Sequence, residues 1–70
     1  MQEFSLEGHP FITLNNLLKI MGLCDSGANA KQAVADGAVL VDGQLELRKR
    51  CKIIAGQVVE FADECIKVIP

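Results

Sequence analysis

The chain has few aromatic residues: it lacks tryptophan and tyrosine, and its rings are Phe4, Phe11 and Phe61. Proteins that bind single-stranded nucleic acids without sequence preference usually stack successive bases on exposed aromatic side chains. Three phenylalanines in 70 residues leave little material for such a platform. The composition therefore argues against recognition of bases by stacking.

Metal-ligating residues are scarce too, with one histidine, His9, and three cysteines, Cys24, Cys51 and Cys65. Structural zinc usually takes four ligands at recognisable spacings, and this chain has no C-x-x-C pair. An odd number of cysteines also does not suit a disulfide framework. We expect free, largely buried thiols in a reducing cytosol, with neither a metal site nor a cofactor.

Membrane and catalytic signals are missing as well. No apolar run approaches the roughly 20 residues of a membrane span, and the acidic N-terminus lacks a signal-peptide pattern. The G-x-G-x-x-G and P-loop patterns are absent, and no carboxylate forms a motif with His9. Cations flank Cys51, which predicts a lowered thiol pKa, but no histidine is close to it in sequence. We expect a soluble, cytoplasmic protein that is not an enzyme.

Positive charge, in contrast, is concentrated in one short segment. Four of the seven basic residues fall within five positions, at Arg48, Lys49, Arg50 and Lys52. This segment carries +4, whereas the other 65 residues hold three lysines and nine acidic residues and carry −6. Such a segment favours a polyanionic partner, and the arginine fork suits phosphate oxygens. The alternative is a solvated loop that only keeps the protein soluble.

Two helices are predicted in the first half of the chain, after a short strand at residues 4–6. The first follows Thr13, a plausible N-cap, and ends near Gly22. Its apolar residues recur on one face, at Leu14, Leu17, Leu18 and Met21. The second helix begins after Ser26, a good N-cap, and closes at Gly37.

The start of the second helix is a second candidate site. Free N–H groups and the positive end of the helix dipole can hold a phosphate. The residues that could do so here are Ser26, Gly27, Asn29 and Lys31. Against this, Asp25 would repel a phosphate, and the alternative is a capped helix with an exposed lysine.

The second half of the chain has a β-type pattern. Val39–Val41 is followed by Asp42-Gly43, a strong two-residue hairpin signal, and residues 44–47 return as its partner. Residues 52–54 are predicted as a short strand, and turns at residues 55–57 and 62–64 separate the later strands. The predicted order is β-α-α-β-β-β-β. It indicates an α+β fold of one domain, residues 1–70, in which a two-helix hairpin packs on a small antiparallel sheet.

These patterns together resemble a known family. Residues 26–43 read S-G-A-N-A-K-Q-A-V-A-D-G-A-V-L-V-D-G, a Ser-capped helix with A-K, a terminal glycine and then V-x-V-D-G. This order resembles the S4-type RNA-binding domain, or alpha-L motif, over about residues 12–69. The S-G-x-x-A-K motif at residues 26–31 and the Arg-Lys-Arg loop at residues 48–50 are similar to the small stand-alone bacterial members, the YbcJ-like proteins.

The resemblance implies two helices packed on an antiparallel sheet, and binding of structured RNA, commonly ribosomal RNA, without catalysis. Many longer members carry arginine where this chain has Thr13 and Gly27, so we expect the loop to bear most of the contact. The implied RNA-binding residues are Arg48, Lys49, Arg50 and Lys52, with Lys31, Ser26, Gly27 and Asn29 assisting. Further partners could be the ribosome or other proteins. The alternative is a protein-interaction adaptor whose basic loop docks on an acidic partner.

Overall fold

The computed structural model describes all 70 residues and contains two helices and seven short strands. The helices are α1 (Leu14–Ile20) and α2 (Gly27–Ala35). The strands are β1 (Gln2–Ser5), β2 (Ile12–Thr13), β3 (Val39–Val41), β4 (Gln44–Leu45), β5 (Lys52–Ile53), β6 (Val58–Phe61) and β7 (Glu64–Ile69). The predicted order counts two strands fewer than the structure. The strand predicted at residues 52–54 is present as β5, whereas β2 was not predicted, and the two pair with each other as a separate two-stranded sheet.

The other five strands form one sheet in the order β1-β7-β6-β3-β4. The α+β fold class is confirmed, and one detail of the predicted sheet is wrong. Most neighbours are antiparallel, but β1 runs parallel to β7, with Gln2 opposite Ile66 and Ser5 opposite Ile69. The sheet is therefore mixed, because the first and last strands of the chain lie side by side in the same direction.

Both helices begin and end where the sequence predicts. The Ser26 side chain accepts a hydrogen bond from the backbone N–H of Asn29 at 3.1 Å, as an N-cap should. Thr13 occupies the N-cap position of α1, but its side chain makes no capping hydrogen bond. The free backbone N–H groups in the first turn of α1 must therefore find hydrogen-bond acceptors in another part of the chain.

The Asp42-Gly43 hairpin is confirmed. Both residues have positive φ, 53° and 79°, which is the requirement of a type I′ turn and the reason that glycine suits the second position. The returning strand is shorter than expected and ends at Leu45. Leu45 and Leu47, expected on one face of this strand, are each 56% exposed.

The core is a single cluster of 13 buried residues with no polar or charged member. Its largest fully buried side chains are Leu14, Leu17, Leu18, Val34, Val39, Ile53, Val59, Ile66 and Val68. The apolar stripe predicted for α1 thus supplies three of its leucines. Neither helix is long and apolar enough to cross a membrane.

Leu17→Ala should destabilise the domain by about 2–5 kcal/mol, because it opens a cavity in a fully buried part of the core. Ile20→Ala is the matched control in the same helix, since Ile20 is 60% exposed and should cost within about 0.5 kcal/mol. Guanidinium unfolding of both variants measures the difference. Equal losses of stability would contradict the packing described here.

Candidate nucleic-acid interface

The segment of residues 48–52, called the basic loop below, is fastened to the start of α1 by backbone hydrogen bonds. The N–H of Leu14 donates to the Cys51 carbonyl at 2.9 Å, and the N–H of Asn15 donates to the Lys49 carbonyl at 3.0 Å. These carbonyls satisfy donors that the Thr13 side chain leaves unpaired. The basic loop therefore caps the N-terminus of α1 through its backbone carbonyls.

The strand pair β2–β5 continues this attachment. Ile12 lies opposite Ile53 and Thr13 lies opposite Lys52, so the end of the loop and the entry to α1 run antiparallel. Ile53 is fully buried and anchors the pair in the core. All four basic side chains of the loop remain exposed, at Arg48, Lys49, Arg50 and Lys52. The backbone of the loop is therefore held in place while its charges face solvent.

Glu46 fixes the other end of the loop. Its backbone N–H donates to the Val39 carbonyl at 3.1 Å, which attaches it to the sheet. Its carboxylate accepts three hydrogen bonds from Arg48: from the backbone N–H at 3.0 Å, from Nε at 2.9 Å and from Nη2 at 3.2 Å. Such charge-assisted, two-pronged contacts are stronger and more directional than neutral ones.

This contact changes the charge of the loop. Hydrogen bonds from the Arg48 side chain and then from its backbone lower the pKa of the Glu46 carboxyl from 4.5 to about 2. Glu46 is therefore ionised at neutral pH and offsets one of the four positive charges. The other three basic residues make no ion pair, so they are the unpaired cations of the loop: Lys49, Arg50 and Lys52.

An aromatic ring lies at the end of the basic loop. The Lys52 ammonium is 4.9 Å from the centroid of the Phe11 ring, within the range of a cation–π contact. Beside it lies a shallow depression of about 470 Å³, which is lined by Arg48, Arg50, Cys51 and Lys52. The depression is mostly lined by cations and is open to solvent.

The prediction that flanking cations lower the pKa of the Cys51 thiol was wrong. Burial, followed by the nearby Glu46 carboxylate, raises the pKa of the Cys51 thiol and outweighs the opposing effect of Arg48. Cys51 is half-buried and packs against the core. All three cysteines are free, and no group of three His, Cys, Asp or Glu residues is placed to hold a metal ion.

The residues predicted at the start of α2 form a separate group. The Asn29 N–H is already engaged by the Ser26 hydroxyl, while Lys31 is exposed. No hydrogen bond or ion pair joins Ser26, Gly27, Asn29 or Lys31 to the basic loop. The structure thus ties the loop to α1, and the α2 group stands by itself.

Sequence reasoning missed two residues of this surface. Glu46 was treated only as part of a strand, although an acid two positions before an arginine at a strand end is a signal for a local ion pair. Phe11 is one of the three phenylalanines of the chain, and composition alone gives it no role at this surface. Its position beside Lys52 depends on the β2–β5 pair, which no periodicity reveals.

The sequence matches the S4 domain family over residues 4–69, and the chain belongs to that family. It is 54% identical over 69 residues to the protein YbcJ of Escherichia coli and, equally, to YbcJ of Shigella flexneri, with 99% of each chain covered. The solution structure of Escherichia coli YbcJ, which revealed an alfaL motif involved in RNA binding, matches this fold with a TM-score of 0.78 and 53% identity. That match covers 100% of this chain and 89% of the other. The resemblance stated from the sequence is confirmed.

The Glu46 carboxyl should titrate near pH 2 in the folded protein. Since its folded pKa is below its usual value of 4.5, the contact with Arg48 stabilises the fold above about pH 4.5 and is lost as the pH falls toward 2. Arg48→Gln should raise this pKa but leave it below 4.5, because the backbone N–H of residue 48 still donates.

An NMR titration of the glutamate side-chain carbons, read while the amide spectrum shows a folded protein, measures these values. Lys49→Gln removes the same charge from the loop without touching Glu46 and is the control. A Glu46 pKa that stays near 2 in Arg48→Gln, or that rises equally in Lys49→Gln, would contradict the assignment.

Proposed function

We propose that this protein is a non-catalytic RNA-binding module that contacts the phosphate backbone of structured RNA through its basic loop. The observation that carries the proposal is the attachment of the loop: two backbone hydrogen bonds to α1 and the Glu46 contact hold its backbone while the cations stay exposed. Membership of the S4 family and the RNA-binding motif of Escherichia coli YbcJ support it. Cytoplasmic location stays a prediction.

A fixed backbone matters because phosphates in folded RNA lie at fixed spacings. Contacts to phosphates set the position of a protein on its RNA, and helical RNA is recognised mainly through its shape and backbone. Cations on a fastened loop lose less conformational freedom on binding than cations on a free tail. Among structured RNAs, ribosomal RNA is the class that the family resemblance favours.

The number of available cations sets the expected salt dependence. Each phosphate contact adds about 0.7–0.9 to the slope of log K against log salt. Since Glu46 engages Arg48, the free contacts are Lys49, Arg50 and Lys52, together with Lys31 from α2. Four contacts give a slope of about −3. Ser26, Gly27 and Asn29 would shape the helix start near Lys31.

Lys49→Ala and Arg50→Ala should each weaken binding to a structured RNA hairpin and reduce the salt slope by about 0.7–0.9, because each removes one phosphate contact. Lys67→Ala is the control, since it removes the same charge from β7, outside the loop. Fluorescence anisotropy at several salt concentrations measures both quantities. Lys31→Ala tests the α2 group in the same assay.

The proposal fails if the wild-type protein binds no structured RNA at low salt, or if Lys67→Ala weakens binding as much as the loop variants do. Polyglutamate in the same assay tests the adaptor alternative. If this acidic peptide binds the loop and structured RNA cannot displace it, the loop docks on protein and the RNA proposal is wrong.

Glu46→Gln should strengthen RNA binding and steepen the salt slope by up to about 0.9, because it frees the charge of Arg48 for a phosphate. Asp63→Asn is the matched control: it removes one negative charge elsewhere, and asparagine tolerates the positive φ of 67° at that position. If both variants strengthen binding equally, the effect is one of net charge, and Arg48 is not held back by Glu46.

A further inference from the structure

An apolar groove of about 200 Å³ borders the basic loop. Its lining residues are Phe4, Leu6, His9, Phe11, Ile12 and Ile20. No carboxylate is among them, and the imidazole of His9 is their one polar side chain. Phe11 is 36% exposed and Ile20 is 60% exposed, so the groove is open to a ligand.

The groove and the basic loop form one continuous surface. Ile12 lines the groove and pairs with Ile53 in the two-stranded sheet, while its neighbour Thr13 pairs with Lys52. The Lys52 ammonium lies over one face of the Phe11 ring, 4.9 Å from its centre. Because Phe11 lines the groove, this cation lies at the edge of the groove. A ligand that contacts Lys52 therefore meets the Phe11 ring next.

This combination has the chemistry of a nucleotide site. A nucleotide joins a flat, apolar-faced base to a negative phosphate, and a single nucleotide is large enough to touch both Lys52 and Phe11. We propose that the groove accepts one unpaired base of the bound RNA, stacked against the face of the Phe11 ring that Lys52 does not cover, while its phosphate contacts Lys52. The proposal rests on the proposed function, which it makes more specific.

The occupant must be a bulged or looped base. Bases within a duplex are stacked on one another, and sequence-specific proteins reach RNA bases mainly where they are unpaired and can be splayed out onto aromatic side chains. The scarcity of aromatic residues predicted no recognition of bases by stacking, and the position of Phe11 beside Lys52 changes that expectation for a single base. One exposed ring beside the loop serves one base, and His9 can hydrogen-bond to its edge.

The test uses two RNA hairpins that are identical except for a single bulged nucleotide in one stem. The wild-type protein should bind the bulged hairpin at least about 5-fold more tightly, the lower end of what one stacked base contributes. An abasic nucleotide at the bulge should remove this preference. Phe11→Leu should also remove this preference. Leu45→Ala, which truncates an exposed leucine outside the groove, is the control.

A second measurement reports occupancy directly. The chain has no tryptophan, so Phe11→Trp introduces a single indole into the groove. Its fluorescence should be quenched by the bulged hairpin and much less by the paired one, whereas a single indole in Leu45→Trp should respond equally to both. If Phe11→Trp is not quenched by a bulged hairpin that binds, the groove does not hold a base.

The outcomes separate the two proposals. Equal affinity of the wild type for both hairpins overturns the groove proposal and leaves phosphate binding by the loop in place. Failure to bind either hairpin at low salt overturns both. A change in Phe11→Trp emission with protein concentration, in the absence of RNA, would show that a second copy of the chain covers the groove, and this too would overturn the proposal.

Discussion

The two hydrogen bonds from Leu14 and Asn15 to the carbonyls of Cys51 and Lys49 are the contact on which this surface depends. Helix α1 has only seven residues, too few to be stable alone, and its N-cap side chain makes no capping bond. Within the basic loop, the one backbone hydrogen bond runs from the Cys51 N–H to the Arg48 carbonyl at 3.0 Å. Each supplies what the other lacks, because the loop carbonyls complete the helix and the helix fixes the loop.

The same junction explains how four cations can lie so close together. Like charges at neighbouring positions repel, and an unattached segment would spread to separate them. Here the backbone is held at Lys49 and Cys51, and Glu46 offsets the charge of Arg48 at the entry. Folding therefore already overcomes the repulsion between these cations and orders the loop backbone. Little further ordering of the loop is needed when a polyanion binds.

Features that depend on residues close in sequence could be predicted from the sequence. The Ser26 cap, the leucine stripe of α1 and the Asp42-Gly43 turn each follow from a few adjacent residues, and the structure contains all three. Features that depend on distant pairing could not. A two-residue strand such as β2 has no detectable period, and nothing local shows that Gln2 will lie parallel to Ile66.

The residues of the candidate site could likewise be predicted where the signal lies in adjacent residues. The basic loop was found because its charges are contiguous, and the α2 group because a helix start has a recognisable pattern. Two contacts that alter their chemistry were missed for different reasons. The Phe11 contact with Lys52 requires the β2–β5 pair, whereas the Glu46–Arg48 ion pair joins residues two positions apart and has a local signal. Sequence therefore located the charge but not its immediate surroundings.

In the proposed complex, the acidic remainder of the chain would add to the selectivity of the basic loop. The protein carries −2 overall, so its net field repels a polyanion at long range. At physiological salt, charges separated by more than about 8 Å are largely screened, whereas direct phosphate contacts are not. A uniformly charged strand lying across the whole surface would meet carboxylates as well as cations. A folded RNA that brings phosphates only to the loop would avoid most of that repulsion, so under the proposed function charge distribution as well as shape would favour structured RNA over an extended strand.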